Sequence, residues 1–134
     1  MNTTTLKINW DTISRIFIGA LFVFAGFGKI MSFEETTGYI NSVLNTGSLT
    51  PAITAAVIFV EIVVAAGYMY GKFKKDICAY ILIAFTALAT ILFHSNLDNQ
   101  LNVIMAFKNL AIIGGIFATL DALHKRRIAH HHSN

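Results

Sequence analysis

Charge is the scarcest commodity in this chain. Lys, Arg, Asp and Glu together make up 13% of its 134 residues, against 55% hydrophobic residues, where soluble domains carry about 25% charged residues. Cysteine occurs once, at Cys78, so an intrachain disulfide, a CxxC redox pair and a thiolate metal cage are all excluded. Proline also occurs once, at Pro51, a residue suited to the first turn of a helix. The net charge is only +3, and no basic patch interleaved with aromatics marks a nucleic-acid surface. No Gly-rich phosphate loop, Ser/His/Asp order or HExxH pattern is present. With a single histidine, His94, inside the apolar part of the chain, a bis-histidine haem is excluded as well.

What the sequence has instead is four long apolar runs: Ile13 to about Ile30, Pro51 to Gly71, Ile77 to Phe93 and Leu101 to Leu120. About 20 such residues cross the hydrocarbon core of a bilayer as a helix. The expected fold is all-α, a four-transmembrane-helix bundle with a short interfacial segment between the first and second spans. Residues 1–12 form an N-terminal cytoplasmic segment, 13–121 the membrane domain and 122–134 a basic cytoplasmic tail. The first run resembles a signal-peptide core, but it offers no convincing small-x-small cleavage site and continues past Lys29 to Met31, so it is expected to remain as a span. The connection Ser32–Thr50 contains Tyr39-Ile40 and Val43-Leu44, enough for an amphipathic segment covering the mouth of a pocket. His130, His131 and His132 sit at a loose end without a preorganised metal geometry, so no metal site is expected.

Positive charge sorts the ends of the runs. Lys7, Arg15, Lys72, Lys74, Lys75, Lys125, Arg126 and Arg127 fall on one side, and Lys29 beside Glu34 and Glu35 on the other. The positive-inside rule then places both termini and the middle loop in the cytoplasm.

A few polar residues interrupt the runs. Arg15, Gly19, Phe22, Gly26 and Lys29 share one helical face, with two glycines that admit a close neighbour. Glu61 lies at the centre of the second run, on the face of Val57, Ile58, Val64, Ala65 and Tyr68. Thr86, Thr90 and His94 recur every fourth residue of the third, and Lys108-Asn109 interrupts the fourth. A lysine at the centre of a span costs roughly 2.5–3.5 kcal/mol on insertion scales. Lys108 is therefore expected to face protein. Counted along each helix, Glu61 and Lys108 fall at nearly the same depth, so they are expected to touch, directly or through one water. His94 and Lys29 lie higher, which points to a polar pocket in the outer half, with Arg15 alone towards the cytoplasm. The competing structural readings are a register-fixing Glu61–Lys108 pair, a snorkelling Lys29, a half-wet His94, and Tyr68, Thr86 and Thr90 as interhelical hydrogen-bonders. Intramembrane ionisable groups are functional candidates by default, and the ligand-binding candidates are Glu61, Lys108, Asn109, His94, Lys29, Arg15, Tyr68 and Thr90.

Taken in order, the pieces resemble a known family. Arg15 followed by Gly19 through Ile30, Glu61 followed by Gly67 and Gly71, His94 ending the third run, and Lys108-Asn109-Leu110 with Gly114-Gly115 resemble the four helices of DoxX-family membrane proteins over about residues 12–122. The family includes a subunit of a thiosulfate:quinone oxidoreductase and members associated with oxidative-stress defence. The resemblance implies an integral membrane subunit of a redox system, an accessory subunit of a quinone-linked oxidoreductase. It implies no intrinsic cofactor, and a quinone or similar lipid-soluble ligand in the charged outer pocket. Lys108 and His94 would then hydrogen-bond the quinone oxygens and Glu61 would handle the accompanying proton. A partner protein would supply electrons, membrane lipid would surround the bundle, and self-association is left open. The alternative is a non-enzymatic module that binds lipid or stabilises a larger membrane complex.

Overall fold

The computed structural model describes residues 9–71 and 74–132. The expectations resting on Lys7 and Lys72, and most of the 1–12 segment, lie outside the described residues. Helix α1 spans Trp10–Met31, α2 Phe33–Leu44, α3 Thr50–Phe59, α4 Ala65–Tyr70, α5 Lys75–Phe93 and α6 Gln100–His132. Between α3 and α4, residues Val60–Val64 form a single π-helical turn, so that α3, this turn and α4 are one continuous rod. Four helices or rods are long and apolar enough to cross a membrane: Trp10–Met31, Gly47–Tyr70, Lys75–Phe93 and Gln100–His132.

Local chemistry sets the boundaries. Asn9 caps α1 by accepting from the Thr12 backbone N–H through its side chain. The chain turns from α2 into α3 through Asn45 and Gly47, both in the left-handed region at φ 50° and 57°. Asn41 Oδ1 ties that turn together, accepting from Gly47 N at 2.8 Å and from Thr50 Oγ1 at 2.9 Å. Pro51 stands in the first turn of α3, where its missing N–H costs nothing.

The bundle is turned inside out relative to a soluble protein. Its core is a narrow seam of Phe22, Val64, Ala65, Tyr68, Leu82 and Ile116 with Ala79 and Leu120. Phe17, Phe24, Phe59, Ile91 and Phe107 point outward, as they must if the surrounding medium is lipid. The stripe anticipated on α1 is the buried one: Arg15, Gly19, Phe22 and Gly26 face inward together with Asp11. A methyl group at Gly26 would lie 2.6 Å from Ile62 Cγ1 and 3.1 Å from Glu61 Cβ. At Gly19 it would collide with the Met69 side chain. The two glycines therefore bring α1 against the α3–α4 rod, and Gly26 sets Glu61 level with the last turns of α1.

One boundary differs from expectation. The segment 122–134 was expected as a tail, but α6 runs unbroken to His132. A hydrogen bond and an ion pair hold its extension: Arg126 Nη2 donates to Asn9 Oδ1 at 2.7 Å, and Arg127 pairs with Asp76 at 2.6 Å. The basic residues thus serve the helix starts of α1 and α5 as well as marking one end of the bundle.

Candidate functional site

A cavity of about 310 Å³ opens in the half of the bundle where α1 ends and α6 begins. Each element contributes differently. From α1 come Leu21, Phe22, Ala25 and Lys29, and from the α3–α4 rod Val57 and Glu61. Helix α5 supplies Phe85, Thr86, Ala89 and Phe93, with His94 at its C-terminal cap, and α6 supplies Lys108, Asn109 and Ile112. Thr36, Tyr39 and Ile40 of α2 close one side, and the Tyr39 ring meets the Phe93 ring at 5.6 Å between centroids. The segment between the first two spans is thus a wall of the cavity, as its amphipathic pattern suggested.

The central ion pair is Lys29 with Glu61, Nζ to Oε1 at 2.8 Å. This corrects the expected Glu61–Lys108 contact. The two residues do lie within reach of each other's field, yet Lys108 makes no hydrogen bond or ion pair among the described residues. Counting depth along ideal helices could not show that Gly26 brings α1 so close that Lys29, one turn further on, reaches back to Glu61 first. Lys29 does not simply snorkel, and Lys108 does not bury itself: it is exposed at the edge of the cavity. Glu61 is 6% exposed and its second oxygen, Oε2, has no partner among the described residues. A buried carboxylate oxygen without a donor is costly, and Glu61 lines the cavity.

Glu61 also sits inside the π turn Val60–Val64. Such turns insert a residue into the helix, re-aim the side chains around it and occur disproportionately at functional positions. Nothing in the composition of Val-Glu-Ile-Val-Val signals it.

The remaining candidates divide. His94 is half-buried on the cavity wall, with Nδ1 3.4 Å from Asn102 Oδ1. Asn109 is buried, lines the cavity and donates to Thr90 Oγ1 at 2.8 Å. Thr90 is thereby an interhelical hydrogen-bonder and not a wall residue, and Tyr68, fully buried, bonds Thr119 Oγ1 at 2.7 Å in the same capacity. Thr86 reverses its expectation. Its hydroxyl donates to Leu82 O within its own helix, and the residue lines the cavity. Arg15 stands apart at the other end, held by Asp11 at 3.2 Å and by the carbonyls of Tyr68 and Met69. The cavity walls missed from sequence are Phe22, Phe85 and Phe93. Apolar side chains carry no mark that separates a cavity wall from a lipid-facing position.

The DoxX family profile matches residues 11–95. The inner membrane protein YqjF of Escherichia coli (strain K12) is 34% identical over 103 residues, covering 77% of this chain and 75% of the relative. No solved structure matches the chain. Four apolar spans, a profile match over more than half of the sequence and an inner membrane relative lead to one conclusion: this chain belongs to the DoxX family and is a multi-pass inner-membrane protein.

Proposed function

We propose that the cavity binds a quinone or a similar lipid-soluble ring, and that the protein is the membrane subunit of a redox system. The observation that carries this reading is the buried Glu61 Oε2, without a partner among the described residues, on the wall of a cavity of about 310 Å³ whose other polar groups include Lys29, Lys108, His94 and Asn109. That volume falls at the small end of ligand sites, which combine apolar walls with a few polar groups. Phe22, Phe85, Phe93 and Tyr39 supply faces against which a flat ring packs.

A bound quinone would supply two-electron, two-proton chemistry, with electrons delivered by a partner protein. The chain's own residues hold and orient. The exposed Lys108 ammonium is the donor free to turn towards a carbonyl oxygen, and the His94 ring donates to the second once Nδ1–H leaves Asn102 Oδ1. Lys29 keeps Glu61 in place through Oε1 and leaves Oε2 to exchange a proton. Arg15 belongs to folding in this reading. The end carrying Arg15, Lys74, Lys75, Arg126 and Arg127 faces the cytoplasm, by the positive-inside rule, which puts the cavity in the outer half of the membrane.

The test is extraction of the purified protein, with co-purified quinone read by absorbance and mass spectrometry. Stoichiometric quinone in the wild type, lost in Glu61→Gln while the variant still unfolds in a cooperative, if lowered, thermal transition, is the expected result. The cluster of Lys29, Lys108 and His94 also suits the head group of an anionic lipid. Phospholipid and no quinone in the extract would favour that non-enzymatic reading.

A further inference from the structure

The cavity does not end at Lys108. A second, larger hollow of about 640 Å³ lies along the outside of the bundle between α1 and α6, and Lys108 and Ile112 line both spaces. The two follow one seam. On α1 the cavity is bordered by Ala25 and Leu21, and the outer groove continues with Ile18, Phe17, Ser14 and Trp10. On α6 the order is Lys108 and Ile112, then Gly115, Ala118 and Ala122.

Small side chains keep that seam shallow on the α6 side. Ala111, Gly115, Ala118 and Ala122 recur at spacings of four, three and four on one face. A methyl group at Gly115 would stand 3.0 Å from Ile18 Cδ1, so the floor of the groove is already in contact there. From Lys108 to Ala122 the groove runs about 21 Å along the helix. On the opposite side the cavity is shut by α2, whose Tyr39 stacks on Phe93. The α1–α6 seam leads from the cavity towards a groove, and the exposed Lys108 lines both spaces with Ile112.

We propose that the ligand of this site is a tailed amphiphile, with its polar ring in the cavity and its alkyl or prenyl tail laid in the α1–α6 groove past Lys108 and Ile112. The inference rests on the reading of the cavity as a ring-binding site, and it adds the ligand class and the route. Lipid tails are as apolar as the groove, so the tail gains little by leaving lipid. What the groove supplies is alignment: it fixes which way the head enters and keeps the ring carbonyls at the level of Lys108.

The experiment uses the full chain in nanodiscs and a benzoquinone carrying a decyl tail with a diazirine at its far end. After irradiation, labelled peptides are identified by mass spectrometry, with and without excess tail-less quinone as competitor. The expected label falls on α1 around Phe17–Ile18 and on α6 between Ala111 and Ala118, and the competitor removes it. Ala118→Phe, at an exposed position, fills the groove and should cut that labelling by more than half while competition at the cavity persists. Ala111→Phe, nearer the cavity, serves the same purpose if the first variant is poorly folded. Competed label on α2 or α5 overturns the tail route and leaves the cavity reading standing. Label on α1 and α6 that the tail-less quinone does not displace is ordinary lipid contact and overturns the route too. No competed label anywhere overturns both.

Discussion

Two buried ion pairs sit on one face of α1, fourteen residues apart, and they behave differently. At one end Arg15 and Asp11 are each 3% exposed, and the guanidinium is also engaged by Thr12, Tyr68 O and Met69 O. Asp11 has a second cation in Arg126 at 3.6 Å. At the other end Lys29 is 29% exposed, Glu61 has a single partner, and the pair borders a cavity. The first cluster is closed in by backbone and by the end of α6. The second borders the cavity walled by Phe22, Phe85 and Phe93. Burial of charge alone does not distinguish scaffold from site: Asp11 Oδ1 and Arg15 Nε lack partners among the described residues just as Glu61 Oε2 does, and what separates the two pairs is how many partners each charge has and how exposed its cation is.

The comparison can be broken at the closed end first. Arg15→Met leaves buried Asp11 with only the half-exposed Arg126 at 3.6 Å, and should cost about 3–5 kcal/mol, read as a lower thermal transition in detergent. Pairing it with Asp11→Leu should recover much of the loss. If the single change is tolerated without a shift, the cluster is not a structural lock.

The glycine that sets the open end comes next. Gly26→Val forces α1 off Ile62 and Glu61, and overpacking of this kind costs typically about 1–3 kcal/mol. It should also separate Lys29 from Glu61 and abolish ligand binding. Gly28→Ala, whose added methyl group meets nothing within 4 Å, is its control and should leave both unchanged.

Third, the open pair itself should be more tolerant than the closed one. Glu61→Gln is expected to cost about 1–3 kcal/mol, since the partly exposed Lys29 can carry its ammonium towards the head groups. In double-mutant cycles Lys29 and Glu61 should couple. Lys108→Met and Glu61→Gln should add within about 0.5 kcal/mol, because those two side chains do not touch. Strong coupling between Lys108 and Glu61 would restore the contact that helical depth suggested.

The smallest effect belongs to Arg127→Ala. Its pair with Asp76 is short, but Arg127 is 60% exposed, and exposed pairs contribute about 0–1 kcal/mol. A shift in thermal stability no larger than this, fading further in high salt, is expected.

Much of this molecule is legible in one dimension. Four apolar runs long enough for a bilayer dictate four crossing segments, because a backbone in lipid must satisfy its own hydrogen bonds and does so as helix. The four- and three-residue spacing of Arg15, Gly19, Phe22, Gly26 and Lys29 dictates a common face, and charge so scarce in such runs marks the polar interior. Tertiary structure decided the rest. Which cation answers Glu61 depends on a few ångströms of interhelical distance set at Gly26, and a lysine stem spans that difference in either direction. The π turn around Glu61 carries no local residue signal in Val60–Val64. Phe85 and Phe93 became cavity walls, and Lys108 an exposed edge, because helix rotation in lipid is fixed by neighbours. The surrounding solvent is as apolar as the side chains it would otherwise sort.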